Sequence, residues 1–118
     1  MAALAAEAGV ANLVHISAIG ADAGSDSDYA RTKGEGEAAV LAAFPSAVIL
    51  RPSIIFGTED GFFNRFGGMP VVPMIGGGKT LFQPITVIDL ANSVMAAVKD
   101  TGTQGKIFEV AGPTTYSF

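Results

Sequence analysis

The alternation of short apolar runs with helix-like segments is the feature that most restricts how this chain can fold. Apolar runs occupy residues 12–17, 46–51 and 106–112, and helical patterns occupy residues 28–44 and 90–100. The run SAVILR, at 46–51, is almost uniformly apolar, which is typical of a strand covered on both faces of a parallel sheet. Strands that alternate with helices in this way predict an α/β fold with a doubly wound parallel sheet.

Capping and breaking residues mark the ends of the predicted helices. Ser27 or Asp28 is a suitable N-cap for the first long helix, and Pro45 ends it. Asp89 is the predicted N-cap of the second long helix. The last residues, PTTYSF at 113–118, have the composition of a loop that approaches another helix.

Composition excludes several classes of protein. The formal net charge is −4 and no cluster of Lys or Arg is present, which argues against a nucleic-acid-binding surface. With no cysteine and one histidine, the chain offers neither a thiolate site nor a histidine-based metal centre. No apolar run approaches the ~20 residues that a membrane-spanning helix needs. We therefore expect no nucleic-acid partner, no metal and no membrane span.

Tyr29 and Lys33 stand four residues apart on the first long helix, so their side chains should lie on one face. The simpler interpretation of this spacing is a half-exposed surface pair. The other interpretation is a proton-transfer pair, because free tyrosine, with a pKa of about 10, is a poor base and a nearby ammonium favours its phenolate. Such a tyrosine can exchange a proton with a hydroxyl or carbonyl during hydride transfer.

Ser17 ends the first predicted strand and precedes Tyr29 by twelve residues. Parallel sheets place ligand-facing groups at the carboxyl ends of their strands, where a serine hydroxyl can bond a reacting oxygen. The alternative is a serine that merely begins a loop. Ser17, Tyr29 and Lys33 are therefore the candidate catalytic residues.

The Ser–Tyr–Lys spacing and the segment LRPSIIFG, at 50–57, together resemble the short-chain dehydrogenase/reductase superfamily. The resemblance is to its extended or atypical branch, the NAD-dependent epimerase/dehydratase type. PSIIFGTEDGFFNRF, at 52–66, and VAGPTTYSF, at 110–118, are more similar to one subgroup. That subgroup is the nucleotide-binding accessory subunit of complex I (NADH:ubiquinone oxidoreductase) and its bacterial relatives.

The resemblance implies a Rossmann-type domain that binds NADP(H) or NAD(H) in the full-length parent. Tyr29 and Lys33 would lie at the nicotinamide ribose, with Ser17 as the third member of the site. The backbone behind the ring would be lined by Pro52, Ser53 and Ile54. The implied partners are a dinucleotide and the subunits of respiratory complex I. The implied location is the bacterial cytoplasm, peripheral to the inner membrane, or the matrix side in mitochondria.

The glycine-rich turn G-x-x-G-x-x-G, which opens such a domain, is absent from these 118 residues. We therefore expect residues 1–118 to be the C-terminal portion of a single Rossmann-type domain, a fragment lacking the N-terminal strands and the pyrophosphate site. The chain alone should then bind dinucleotide weakly or not at all. The strand at 12–17 should expose an edge through which the chain self-associates.

Two other glycine motifs are not predicted to bind phosphate. GEGEAA, at 34–39, lies inside a predicted helix with no strand leading into it. PMIGGGKT, at 73–80, precedes extended residues, so Lys79 has no helix N-terminus beside it. Gly34 and Gly36 are expected either to weaken their helix or to allow a close approach of another backbone.

Three interpretations are open at this stage. The first is an NAD(P)-binding accessory subunit of the complex I type. The second is an active oxidoreductase or epimerase that acts on a nucleotide-sugar or a small hydroxyl-bearing substrate through Ser17, Tyr29 and Lys33. The third is an inactive truncated fragment.

Overall fold

A computed structural model describes residues 1–73 and 75–117 of the chain. The helices are α1 (Ala2–Glu7), α2 (Asp28–Ala43), α3 (Phe63–Gly67) and α4 (Val87–Lys99). The strands are β1 (Val14–Ile16), β2 (Val48–Pro52), β3 (Ile55–Phe56), β4 (Leu81–Phe82), β5 (Ile85–Thr86), β6 (Ile107–Val110) and β7 (Tyr116–Ser117). No helix in these two ranges is both long and apolar enough to cross a membrane.

The main sheet consists of three parallel strands in the order β1-β2-β6. Val14 pairs with Val48 at one side of β2, and Ile49 pairs with Ile107 at the other. The central position goes to the most apolar run of the sequence, and Val48 to Leu50 are almost completely buried. The predicted parallel α/β arrangement is therefore confirmed.

Helix α4 covers one face of this sheet. Ala97 of α4 is buried against Val48 and Leu50, and the partly buried residues Val14, Val94 and Val110 pack around them. Each fully buried Val or Leu side chain contributes about 1.5–3 kcal/mol relative to an exposed one. This apolar contact holds β2, whose carboxyl end is central to the candidate site.

One predicted cap is confirmed and the other is wrong. Ser27 is the N-cap of α2, and its side chain accepts a hydrogen bond from the Ala30 N–H group. Helix α4 begins earlier than predicted, because the N-cap is Thr86, whose Oγ1 accepts from the Asp89 N–H group at 3.1 Å. Asp89 instead lies in the first helical turn, where the positive end of the helix dipole stabilises its charge.

The last described residues, Tyr116 and Ser117, form a short strand, and the expected approach to another helix stays a prediction. β7 pairs antiparallel with β4, and Tyr116 lies opposite Phe82. Cross-strand aromatic pairs of this kind stabilise a sheet. The glycine-rich stretch 73–80 forms a 3₁₀ turn at Ile75–Gly78 and leads into β4, as its composition predicts. Met74 of this stretch and Phe118 lie outside the described residues.

Candidate functional site

The carboxyl ends of the three parallel strands are joined by backbone hydrogen bonds. After β1, the Ile19 N–H group donates to the Pro52 carbonyl at 3.2 Å. After β2, the Ser53 N–H group donates to the Val110 carbonyl of β6 at 2.9 Å, and the Ile54 carbonyl accepts from β5. The segment Pro52–Ile54 is thus fixed at the edge of the sheet where parallel α/β folds bind ligands.

Tyr29 and Lys33 lie one turn apart near the start of α2. The Lys33 Nζ atom is 5.7 Å from the centroid of the Tyr29 ring, within the range of a cation–π contact. The Tyr29 side chain is 63% exposed, so a ligand can reach it. The predicted shared face is confirmed, and a role of the pair in catalysis or cofactor binding stays a prediction.

The loop that follows β1 lies against the first turns of α2. The Asp22 N–H group donates to the Ala30 carbonyl at 2.9 Å. A Cβ atom added at Gly34 would lie 2.3 Å from the Ala23 nitrogen, whereas one at Gly36 would meet nothing within 4 Å. Of the two expected alternatives, the close approach of a second backbone is found at Gly34, whereas the open space at Gly36 leaves the other alternative, a weakened helix.

Ser17 is held at the end of β1. Its N–H group donates to the Leu50 carbonyl at 2.7 Å, and its Oγ atom is buried without a hydrogen bond of ordinary geometry to a described residue. The hydroxyl does lie near enough to Glu37 to help lower the pKa of that carboxyl. Glu37 is two turns beyond Tyr29, about 12 Å along the helix. The structure therefore groups Ser17 with Glu37, and its proposed contact with a reacting oxygen stays a prediction.

Glu37 and Arg51 form a paired carboxylate and guanidinium between α2 and β2. Nε of Arg51 donates to Oε1 of Glu37 at 2.8 Å, and Nη2 donates to Oε2 at 2.7 Å. These hydrogen bonds are the main reason that the pKa of Glu37 lies below its ordinary value, against the opposing effect of burial. They also raise the pKa of Arg51. The sequence analysis missed this pair.

A pocket of about 490 Å³ lies next to the carboxyl edge of the sheet, beyond β3. It is lined mainly by five aromatic rings and a proline: Phe56, Phe62, Phe63, Phe82, Tyr116 and Pro84. Phe56 comes two residues after Ile54, and β3 pairs in parallel with β5. Among residues 1–73 and 75–117 there is no group of three His, Asp or Glu side chains that could hold a metal ion.

Relatives of known name share sequence with nearly the whole chain, although no family model matches it. The chain is 39% identical to NADH dehydrogenase (ubiquinone) 1 alpha subcomplex subunit 9 of Arabidopsis thaliana in an alignment 117 residues long, which covers 92% of this chain. It is 41% identical to the protein of the same name from Mus musculus over 114 residues, 93% of this chain. The chain spans only 28% and 30% of the lengths of these two relatives.

A shorter match extends to a protein named for an enzymatic activity. The chain is 42% identical to ceramide reductase of Caulobacter vibrioides over 78 residues, which is 63% of this chain and 25% of that protein.

Solved structures with the same fold are more distant in sequence. MoeE5 in complex with UDP-glucose and NAD superposes with a TM-score of 0.79 at 21% identity, over 98% of this chain and 47% of that one. A dTDP-4-dehydrorhamnose reductase orthologue of Clostridium acetobutylicum gives 0.73 at 23% identity, over 98% and 46%. The chain is therefore similar in sequence to the alpha subcomplex subunit 9 proteins of NADH dehydrogenase (ubiquinone), and over nearly its whole length it has the α/β fold of MoeE5 and of the dTDP-4-dehydrorhamnose reductase orthologue.

Proposed function

We propose that the chain supplies the nicotinamide half of a dinucleotide site in an NAD(P)-binding accessory protein of the complex I type. The observation that carries this proposal is the Lys33 ammonium lying over the Tyr29 ring. The loop before these two residues starts at the carboxyl edge of a parallel sheet and is tied to α2 by the Asp22–Ala30 hydrogen bond. Ligands of open α/β sheets bind at that edge.

The residues fit one end of such a cofactor. Lys33 forms no ion pair within residues 1–73 and 75–117, because Glu37, one turn away on α2, is already paired with Arg51. Its ammonium is thus available to donate hydrogen bonds to ribose hydroxyls. The fixed backbone of Pro52–Ile54 would line the back of the nicotinamide ring.

The comparisons support the same proposal. The structure of MoeE5 contains NAD, and 98% of the present chain superposes on part of that structure. The relatives from plant and mouse are named as subunits of NADH dehydrogenase, and their names place them in mitochondria. The proposed partners are therefore complex I subunits, on the matrix side in mitochondria or peripheral to the inner membrane in a bacterium.

An active oxidoreductase or epimerase is the second candidate, and it is favoured by the exposure of Tyr29 beside a free ammonium. When bound, the cofactor would supply hydride chemistry. Tyr29 would hold or release the proton at its phenol oxygen, and Lys33 would stabilise the phenolate electrostatically. Ser17 would bond the substrate oxygen only after its side chain turns away from Glu37.

The test is a titration with NADPH and NADH, followed by nicotinamide fluorescence, of the protein made from the longest reading frame that contains this sequence. Lys33→Ala should raise the dissociation constant about tenfold, since hydrogen bonds from a charged donor contribute about 1.5–3 kcal/mol. Lys99→Ala, at the far end of α4, is the matched control and should leave the constant unchanged. Equal affinities for the Lys33 variant and the parent would overturn the proposed site.

Tyr29→Phe separates binding from turnover. The variant should bind dinucleotide as the parent does, because the aromatic ring under Lys33 is kept. If the protein is an active oxidoreductase, cofactor oxidation with nucleotide-sugars or small ketones should be lost in this variant. An epimerase causes no net oxidation of its cofactor, so parent protein that binds cofactor, oxidises it with none of these substrates and epimerises no nucleotide-sugar favours the accessory role. Co-migration with complex I on a native gel tests the partner.

A further inference from the structure

The aromatic pocket has the build of a ligand site. Phe62 is at its centre, with ring centroids 5.1 Å from Phe63 and 5.9 Å from Phe82. The Phe56 and Phe63 rings meet edge to face at 5.9 Å. The open pocket that these rings line has a volume of about 490 Å³. That volume falls in the range of small-molecule sites.

The start of α3 is fixed in a way that holds the rings in place. The Oδ1 atom of Asp60 accepts hydrogen bonds from the N–H groups of Phe63 at 2.6 Å and Asn64 at 3.3 Å. The Asn64 side chain in turn donates to the Thr58 carbonyl at 3.1 Å. These contacts orient the short helix that carries Phe62 and Phe63, so the wall of the pocket is preformed.

Among the described residues the lining has no charged side chain, and its side-chain polar groups are the hydroxyls of Tyr116 and Ser117. A nucleotide-sugar carries a diphosphate, which proteins bind with Arg, Lys or backbone N–H groups at a helix start. No described Arg or Lys side chain lines the pocket, and the N–H groups of Phe63 and Asn64 at the start of α3 are already bonded to Asp60. The pocket therefore suits an aliphatic chain better than the nucleotide-sugar bound by MoeE5.

A cationic side chain lies in a depression that adjoins the pocket at Phe62. Phe62 also lines an adjoining depression with Arg65, Phe66 and Met69. Arg65 is exposed and forms no ion pair with the residues that the structure describes. A planar guanidinium binds a carboxylate through paired hydrogen bonds. An apolar pocket that adjoins a depression with an unpaired arginine is complementary to a chain with an anionic head.

We propose that this aromatic pocket binds the acyl chain of a free fatty acid or a similar single-chain anionic amphiphile, with its carboxylate at Arg65. The pocket begins two residues beyond Pro52–Ile54, so the bound chain would lie beside the nicotinamide ring. That relative position rests on the proposed function, whereas binding of the chain does not.

The experiment is a titration with cis-parinaric acid, a polyene fatty acid whose fluorescence rises in an apolar site, on the protein expressed as above and without dinucleotide. Ser117→Trp places an indole in the pocket without removing a ring, and it should weaken binding at least tenfold. Thr114→Trp adds the same bulk at an exposed position outside the lining and should leave binding unchanged. Arg65→Ala should weaken binding of the acid severalfold and have no effect on its methyl ester.

Two results would overturn the proposal. One is absence of probe binding, or equal binding by the parent and Ser117→Trp, when circular dichroism shows both to be folded. The other is that the protein sediments with phosphatidylglycerol vesicles and that added free fatty acid does not reverse this binding. That result would assign the rings to a membrane contact. Because the probe needs no dinucleotide, a failure here and a failure of the NADPH titration are distinguishable.

Discussion

Arg51 of β2 donates two hydrogen bonds, of 2.8 and 2.7 Å, to the carboxylate of Glu37 on α2. The Glu37 side chain is only 7% exposed and that of Arg51 is 24% exposed. The contact joins the central strand of the sheet to the helix that carries Tyr29 and Lys33. It also satisfies Glu37, the acidic side chain of α2 that lies one turn beyond Lys33.

Arg51→Met should destabilise the protein by about 2–4 kcal/mol in urea unfolding. Removing one partner of a buried pair leaves a buried charge uncompensated, and the partial exposure of Arg51 lowers the cost somewhat. Arg31→Met, which breaks the exposed pair with Asp28, is the control and should cost about 0–1 kcal/mol. Adding Glu37→Met to the first variant should recover most of the loss. A double variant no more stable than Arg51→Met alone would contradict this explanation.

The Glu37–Arg51 contact should also make stability depend on pH. The pKa of Glu37 is lowered in the folded protein, mainly by the hydrogen bonds from Arg51. A carboxyl of this kind contributes stability above its unfolded pKa of about 4.3, and the contribution is lost as the pH falls through the folded value. The stability advantage of the parent over Glu37→Gln should therefore be largest near neutral pH and shrink on acidification. Unfolding curves that stay equally far apart at every pH would count against it.

Two glycines of the same helix should respond in opposite ways to alanine. At Gly34 a Cβ atom would lie 2.3 Å from the Ala23 nitrogen, so the loop must move away and Gly34→Ala should lower the melting temperature by several degrees. At Gly36 the space is open, and Gly36→Ala should stabilise the helix by up to about 1 kcal/mol. Thermal unfolding by circular dichroism checks both. A stable Gly34→Ala protein would show that the loop does not rest on α2.

The sequence was sufficient to predict the main sheet because each of its strands is one apolar run. Val48 to Leu50 are buried, and no polar residue interrupts them. Tyr29 and Lys33 were also predictable, since helical spacing alone places them on one face. The N-cap of α4 was not predictable, because Thr86 and Asp89 are both suitable caps. The pairing of Ile85 with Ile55 decides between them, since it keeps the chain extended up to Thr86.

The rest depended on contacts between distant parts of the chain. Glu37 is four residues beyond Lys33, so its place on that face was readable, but its partner Arg51 is fourteen residues away on another element. Arg51 is the only charged residue of SAVILR, and that was the available signal. The aromatic pocket had no comparable signal, because Phe62, Phe82 and Tyr116 are far apart in the sequence and line one pocket only in the folded chain.

The outer strand β1 should make the 118-residue chain self-associate. Within the described residues β1 pairs only with β2, and such an edge offers unpaired backbone groups to a second chain. The apparent mass from light scattering should therefore rise with concentration. Ile16→Lys puts a charge on the edge strand, at a residue that is already 38% exposed, and should reduce association. Ile88→Lys on α4, 69% exposed and away from β1 in sequence, is the control and should have less effect. A monomeric mass at every concentration would contradict this prediction, because it would show that the β1 edge does not pair with a second chain.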